Sequence, residues 1–233
     1  STGFGFKIGY QGELFAGLRL GASFQPKIKM SKFDDYQGLF AEEGGFDIPA
    51  NWQAGLSYDI AEKFTIMADV KQIMYSGVKS ISNPMNPQQI MPMVPNPGWQ
   101  GPTDPNVMIP NPNFVPLGDE NGAGFGWEDM TIYKIGYQWN TGSQWAWRVA
   151  EFRQVENWQF RLGYSYGKQP IPETEVMFNI IAPAVNENHI SVGLTRMIGE
   201  HALNLAITHA LENSVKGQNP FDPAQQIEIS MNQ

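Results

Sequence analysis

The chain has 233 residues, of which 42% are hydrophobic, 12% are aromatic and only 16% are charged. Its formal net charge is −8, and it has neither the basic block that indicates nucleic-acid binding nor a single cysteine, which excludes disulfides and thiolate metal sites. No run of about 18 apolar residues occurs, so no transmembrane helix is predicted.

The predicted elements are β-strands, because apolar residues alternate with small or polar residues along short segments. The clearest pair is a hairpin over residues 188–211, with its turn at 197–201. Its apolar face suits a soluble core or membrane lipid, and the small Gly, Ser, Asn, Ala and Thr residues of its other face favour a crowded barrel interior. In chain order, nine strands are predicted at residues 4–10, 16–24, 52–59, 65–71, 124–140, 158–167, 188–196, 202–211 and 226–233.

The connections between these strands alternate in length. Short turns are predicted at residues 11–13, 60–62, 141–143 and 198–201, and long loops at 34–48, 82–123, 168–187 and 212–225. This alternation is typical of outer-membrane β-barrels, which have short periplasmic turns and long extracellular loops. Aromatic residues cluster near strand ends on the apolar face, as in the two girdles of such barrels: Phe4, Tyr10, Trp52, Tyr58, Trp127, Tyr137, Trp139, Trp158 and Tyr166.

Residues 83–116 form the least regular segment and hold ten of the 17 prolines. We expect an irregular or polyproline-like extracellular loop there, without a ladder or a helix. The strand pattern resumes after it, so residues 1–233 are predicted to be one β-barrel domain. Residues 144–157 fit either an early start of the sixth strand or an insertion.

Six short stretches carry a family resemblance. They are residues 45–49 (GFDIP), 69–76 (DVKQIMYS), 124–129 (GFGWED), 169–172 (QPIP), 178–183 (FNIIAP) and 187–189 (ENH). Together they resemble the FadL/TodX family of outer-membrane transporters for long-chain fatty acids and other hydrophobic compounds. The resemblance implies a fourteen-stranded barrel plugged by an N-terminal hatch, in the outer membrane of a Gram-negative bacterium. About nine strands, from the sixth onward, are expected here, without the signal peptide, the hatch, the early strands or the end of the last strand.

Several charged residues of the predicted strands stand at the alternating positions that face the barrel interior. These residues are the candidates for a lumen site. An inward Arg or Lys can hold the carboxylate of an amphipathic acid while an apolar neighbour such as Met67 holds its tail. Alternatively, these charges pair with one another to fill a polar lumen, as Asp69 and Lys71 could. The lumen candidates are Arg19, Met67, Lys71, Lys134 and Arg161, and Lys7 and Asp69 share their parity.

The loops supply a second set of candidates, the aromatic residues Phe40, Phe46, Phe114 and Phe178. They could capture a hydrophobic ligand first, or pack the loops against each other. Glu187 and His189 favour a hydrogen bond that fixes a loop over a metal site. Residues 163–167 match the G-x-S-x-G pattern of a nucleophile elbow, but they lie inside a strand with no helix after it. No catalytic residue, metal site or cofactor is predicted.

The sequence thus favours passive uptake of hydrophobic small molecules through a narrow lumen by a monomeric outer-membrane protein. The expected partners are a fatty acid, hydrocarbon or detergent and the outer-membrane lipid, with no nucleic acid. A structural or adhesive barrel that displays its loops, and a soluble β-sandwich lipid-binding protein, stay open as alternatives.

Overall fold

Eight antiparallel strands form one continuous sheet in the computed structural model, which describes residues 1–60, 63–102, 104, 107–141, 158–198 and 201–232. The strands of these described ranges are β1 Ile8–Phe15, β2 Leu18–Gln25, β3 Ala50–Ile60, β4 Phe64–Met74, β5 Met93–Pro95, β6 Met108–Pro110, β7 Met130–Asn140, β8 Trp158–Gly167, β9 Asn188–Ile198, β10 His201–Ala210, β11 Asn213–Asn219 and β12 Asp222–Met231. The order in the sheet is β1-β2-β3-β4-β7-β8-β9-β10, and β5–β6 and β11–β12 form two separate hairpins.

The two faces of the sheet differ as the alternation predicts. On the predicted lipid-facing side of β10, Leu203, Leu205 and Ile207 are 59–65% exposed. A β-sandwich would bury this face against a second sheet, so the soluble alternative does not fit. In the described part of the chain, no helix is long and apolar enough to cross a membrane.

Aromatic rings form a belt on the outer face, at the end of the sheet where the connections are short, which we call the turn end. Phe64 stacks on Tyr137, with ring centroids 5.8 Å apart, and Trp139 stacks on Phe160 at 5.3 Å. The guanidinium of Arg196, which lies beside the turn of the 188–211 hairpin, is 4.9 Å from the ring centroid of Trp158. This belt agrees with the predicted girdle at one interface.

The opposite end of the sheet, the loop end, carries a layer of packed loops that we call the cap: residues 26–49, 75–102, 104, 107–129, 168–187 and 211–232. Its main apolar cluster consists of Ile171, Val176, Val185, Val215 and Ile229. The cap also contains the helices α1 Ala41–Gly44, α2 Lys79–Ser82 and α3 Pro87–Ile90 and the 3₁₀ turns Asp34–Tyr36, Tyr75–Gly77, Glu173–Glu175 and Phe178–Ile181. The sheet therefore presents open faces, while most buried apolar side chains lie in the cap.

The first predicted turn is wrong. Residues 11–13 lie within β1, and the chain reverses between Phe15 and Leu18 instead. Gly17 has φ +87°, which favours glycine, and its carbonyl accepts the N–H of Asp59 at 2.9 Å. Gly12 was mistaken for the turn residue, although an extended strand tolerates a glycine there.

The predicted ninth strand does not join the sheet. It is β12, which begins at Asp222 and pairs with β11, a strand inside the predicted loop at residues 212–225. Val215 and Ile229 face each other across this hairpin and bury themselves in the cap cluster. The hairpin consequently belongs to the cap, and the sheet has eight of the nine predicted strands.

The prediction that residues 83–116 lack a ladder and a helix is also wrong. Asn86 caps α3 by accepting the N–H of Gln88 at 3.0 Å, and Pro87 occupies the first turn, where no N–H is needed. Three residue pairs join β5 to β6. Trp127, predicted to lie in a girdle at the start of the fifth strand, belongs to the cap, since β7 begins at Met130. The ambiguous residues 144–157 lie outside the described ranges.

Candidate functional site

Two adjoining clefts lie on the inward face of the sheet. One, of about 550 Å³, is lined on β2 and β3 by small and polar residues such as Ser23 and Gly55. The other, of about 460 Å³, extends over β7 to β9 and includes Lys134. Met67 and Asp69 of β4 line both clefts. The two clefts therefore meet at β4, in the middle of the sheet.

The lysines of this face lie towards the loop end. Lys71 stands opposite Gln53 and Ile132 in the β-ladder. Lys134 stands opposite Asp69, whose carboxylate lies over Gly55, a position where a Cβ would collide with it. Lys71 is close enough to Lys134 and Lys7 for the three charges to interact.

These lysines are available to a ligand. Among the described residues, neither Lys71 nor Lys134 forms an ion pair within 4.0 Å or a hydrogen bond. Asp69 also has the parity that faces the lumen, and Glu187 lines the second cleft, so two acids lie beside three lysines. The loop-end half of the lumen wall thus carries an excess of positive charge that can bind an anion.

Apolar side chains lie beside the lysines on the same face. Met67 of β4 stands opposite Gly136 of β7 in the β-ladder. Met130 and Ile132 line the second cleft together with Lys134. Methionine side chains are flexible and adapt to irregular apolar shapes. A cation beside adaptable apolar groups suits an amphipathic acid, with its carboxylate on a lysine and its tail on the methionines.

Arg19 has a different environment, at the turn end of the wall. Its Nη2 forms an ion pair with Asp59 at 2.5 Å, and its Nε donates to the hydroxyl of Ser57 at 3.2 Å. Thr65 donates to the same Asp59 oxygen at 2.9 Å. These contacts support the structural interpretation of Arg19, in which it links β2, β3 and β4.

Arg161 is engaged in the same way on β8. Its guanidinium donates to Gln138 of β7 at 3.1 Å, to Gln159 at 2.5 Å and to Thr195 of β9 at 3.0 Å. Thr195 in turn donates to Asn204 of β10 at 2.7 Å. The turn end of the lumen is therefore closed to new partners by a polar network across four strands, whereas the lysine half is open.

The loop candidates divide between two aromatic clusters and the Pro-rich segment. Phe40 and Phe46 pack edge to face at 5.3 Å, within a cluster that includes Phe33 and Tyr36. Phe178 packs on Phe125 at 5.6 Å, next to Trp127 and Tyr75. Phe114 lies on the Pro-rich segment and is 41% exposed. The structure does not bring the four candidates into one surface.

Two buried polar residues of the cap escaped sequence reasoning. Asn179 is fully buried and donates to the carbonyls of Phe125 and Glu175, while its Oδ1 accepts the indole N–H of Trp127 at 2.6 Å. Glu175 is also buried. Neither residue lies in an alternating pattern, and Asn179 was included only as part of the 178–183 stretch of the family resemblance. Burial raises the pKa of Tyr75, whose ring meets that of Trp127 at 5.1 Å.

The remaining motifs have structural positions. The carboxylate of Glu187 accepts the backbone N–H of Gln169 at 3.1 Å, the kind of loop-fixing hydrogen bond that was predicted there. His189 lines the second cleft. Residues 163–167 lie at the end of β8 in extended conformation, without the strand-to-helix turn of a nucleophile elbow.

Several solved structures resemble this chain. A structure titled TodX deltaS2S3 mutant monoaromatic hydrocarbon channel has a TM-score of 0.53 at 16% identity, over 99% of this chain and 48% of that one. A Pseudomonas aeruginosa FadL homologue has a TM-score of 0.52 at 13% identity, over 92% and 46%. The Pseudomonas putida toluene transporter TodX has a TM-score of 0.49 at 17% identity, over 91% and 45%. A comparison with curated proteins found no match.

The first two structures show that the fold is shared, and the chain spans less than half of their length. The family model described as outer membrane protein transport protein (OMPP1/FadL/TodX) matches residues 1–228. This match confirms the resemblance, the antiparallel barrel and the location in the outer membrane of a Gram-negative bacterium. The turn end is accordingly periplasmic and the cap extracellular. The chain belongs to the OMPP1/FadL/TodX family of outer-membrane transport proteins.

Proposed function

We propose that the intact protein takes up hydrophobic small molecules passively through the barrel lumen, and that these include amphipathic acids such as long-chain fatty acids. The observation that carries this proposal is the pairing of Lys71 and Lys134, which have no ion partner among the described residues, with the apolar Met67, Met130 and Ile132 on one lumen wall. A similar structure bears the name of a monoaromatic hydrocarbon channel, and the methionines alone would suffice for a neutral ligand.

The chemistry of the wall suggests how a fatty acid would move. Each CH₂ of the tail that leaves water for the apolar groups contributes about 0.8 kcal/mol. A hydrogen bond between the carboxylate and a lysine adds about 1.5–3 kcal/mol. Further along the wall, Gly136, Gly163 and Gly193 have no side chain that would fill the lumen or hold the ligand in place. Binding of this kind is reversible and needs no nucleotide, and movement is by diffusion.

In this proposal the protein is a monomer whose outer residues, such as Leu205 and Ile207, contact lipid. The intact protein is needed for any test, because β1 and β10 are the edges of the described sheet. Unpaired backbone groups at these edges would be costly in lipid, so further strands must close the barrel.

The test is uptake by liposomes that contain the intact protein. We expect flux of oleate and of toluene above that of protein-free liposomes. Lys71→Met combined with Lys134→Met should weaken oleate binding about tenfold, the loss of about 1.4 kcal/mol, and leave toluene flux unchanged. Lys216→Met, at an exposed side chain of the β11–β12 hairpin, is the matched control and should change neither.

Two results would contradict the proposal. Equal flux with and without the protein would exclude selective uptake altogether. Normal oleate binding by the double lysine variant would exclude the carboxylate site and leave uptake of neutral compounds only.

A further inference from the structure

One extracellular part of the cap, which we call the tongue, consists of residues 83–102, 104 and 107–118 and has almost no charge. Of the 15 basic and 23 acidic residues of the chain, only Asp104 falls within them. Water-exposed loops normally carry charged side chains. On the tongue, large apolar side chains are exposed instead: Met91, Met93, Trp99, Val107, Met108 and Phe114, each between 37% and 51%.

The β5–β6 ladder gives this apolar surface its shape. Met93 pairs with Pro110 and Pro95 pairs with Met108, while Val94 and Ile109 pair between them. Because side chains alternate along a strand, the two methionines and two prolines share one face. Met93 is 41% exposed and Met108 45% exposed. This face has no side-chain group that could form a hydrogen bond with water.

Hydrogen bonds hold the tongue in this arrangement. The buried Asn111 donates to the carbonyls of Gln88 and Met91 and accepts the N–H of Asn113 at 2.9 Å. At the tip, the indole N–H of Trp99 donates to the carbonyl of Asp104 at 3.2 Å. The apolar side chains are thus displayed by a hydrogen-bonded support, where an unsupported loop would be free to collapse and hide them.

The same features define the partner. Anionic headgroups would require lysines or arginines, and the tongue has none. A partner strand would use the outward N–H groups of the ladder, but Pro95 and Pro110 have no N–H on its two edges. Flexible methionines without charge instead suit an uncharged apolar phase that has no fixed shape.

We propose that the tongue docks on the surface of droplets of undissolved hydrocarbon. Docking would bring the extracellular cap to a concentrated source of ligand. The purpose of this step rests on the uptake proposed above, but the docking itself does not depend on the lumen lysines. The two proposals can therefore fail separately.

The test measures flotation of liposomes, containing the intact protein, with hexadecane droplets. Protein-free liposomes give the baseline. Met93→Asn combined with Met108→Asn should reduce flotation at least tenfold towards that baseline. The matched control, Leu39→Asn combined with Ile181→Asn, changes two exposed apolar residues of the cap outside the tongue and should stay within twofold of the unmodified protein.

A second variant keeps the test decisive if the double methionine variant does not fold. Trp99→Gln lies at the tip, outside the ladder, and should also reduce flotation, by at least threefold. Uptake of toluene from solution should be unchanged in both tongue variants. If the unmodified protein took up no toluene, the proposed uptake would be contradicted, but the flotation measurement would still test the docking.

Three outcomes would overturn the docking proposal. The unmodified protein could float no better than protein-free liposomes, the tongue variants could float as well as the unmodified protein, or the control could lose flotation equally. Cross-linking of two copies through the tongue, without flotation, would replace the droplet by a second copy of this chain.

Discussion

The carboxylate of Glu175 accepts a hydrogen bond from the backbone N–H of Met85 at 2.8 Å, although the two residues are 90 positions apart in the chain. Both residues are buried. Glu175 also packs against Gly126, which has φ +67° and belongs to the same connection between β4 and β7 as Met85. One acidic side chain of the 168–187 loop therefore contacts two separate points of the connection between β4 and β7.

Replacing Glu175 by alanine should loosen the cap without opening the barrel. The Met85 N–H would lose its partner in a buried place, which costs about 1–3 kcal/mol. We expect faster hydrogen exchange at Met85 and faster proteolysis of residues 75–129, with unchanged heat stability of the barrel on gels. Glu173→Ala, on the same 3₁₀ turn but exposed, is the control and should behave like the unmodified protein. Equal exchange in both variants would argue against this role of Glu175.

Gly126→Ala should weaken the same region for a steric reason. A left-handed backbone conformation costs a residue with a Cβ about 1–2 kcal/mol, and the new methyl group would also collide with the side chain of Glu175. Gly38→Ala is a suitable control, because no heavy atom lies within 4 Å of a Cβ there and its φ is not positive. Limited proteolysis of the cap should distinguish the two, and similar digestion rates would contradict the prediction.

The sequence predicted the sheet well and the cap poorly, for a physical reason. Inward and outward faces follow from alternation within each strand, which is a local property, so Lys71, Lys134 and Leu205 could be placed from their neighbours alone. The cap depends on contacts such as Trp127 with Asn179, 52 positions apart, and no local pattern encodes them. The turn between β1 and β2 was misplaced because Gly12 and Gly17 look alike in sequence, and only the backbone angle separates them.

The candidate site was predicted in the same uneven way. Alternation along the strands made Arg19 and Arg161 candidates on equal terms with the lysines, because it shows which face a side chain is on and not which groups it binds. The partners came from neighbouring strands, through Asp59 and Thr195, and they depend on the strand register. Met130 was not singled out, although it lies inside the predicted fifth strand on the same face as Ile132 and Lys134.

The pH response of the β11–β12 hairpin should depend on Glu228. Hydrogen bonds from Ser214 and from Lys216, together with the charge of Lys216, lower the pKa of the Glu228 carboxyl from its usual value. A lowered folded-state pKa stabilises the hairpin above the unfolded-state pKa, and this contribution disappears as the pH falls through the folded-state pKa. In Ser214→Ala we expect the pKa, followed by carboxyl-carbon NMR, to move back up. Lys216→Ala should raise it as well, and an unchanged pKa in both variants would contradict this assignment of causes.

Arg161 and Lys71 should separate stability from ligand binding when each is replaced by methionine. Arg161→Met removes the donor to Gln138, Gln159 and Thr195, of which the last two are buried. Losing hydrogen bonds from a charged donor costs about 1.5–3 kcal/mol each, so urea unfolding of the intact protein in lipid should shift to clearly lower concentrations.

Lys71→Met should keep the stability of the protein and weaken ligand binding. Its stability is kept because Lys71 has no ion pair or hydrogen bond to lose among the described residues. Its unfolding midpoint should match that of the unmodified protein or rise slightly, because a cation surrounded by Lys134 and Lys7 is removed. Its affinity for oleate should fall severalfold, whereas Arg161→Met should keep its affinity within twofold while it is folded. If Arg161→Met lost oleate binding at full stability, the turn-end network would be part of the ligand site, and the assignment of the two ends of the lumen would have to be exchanged.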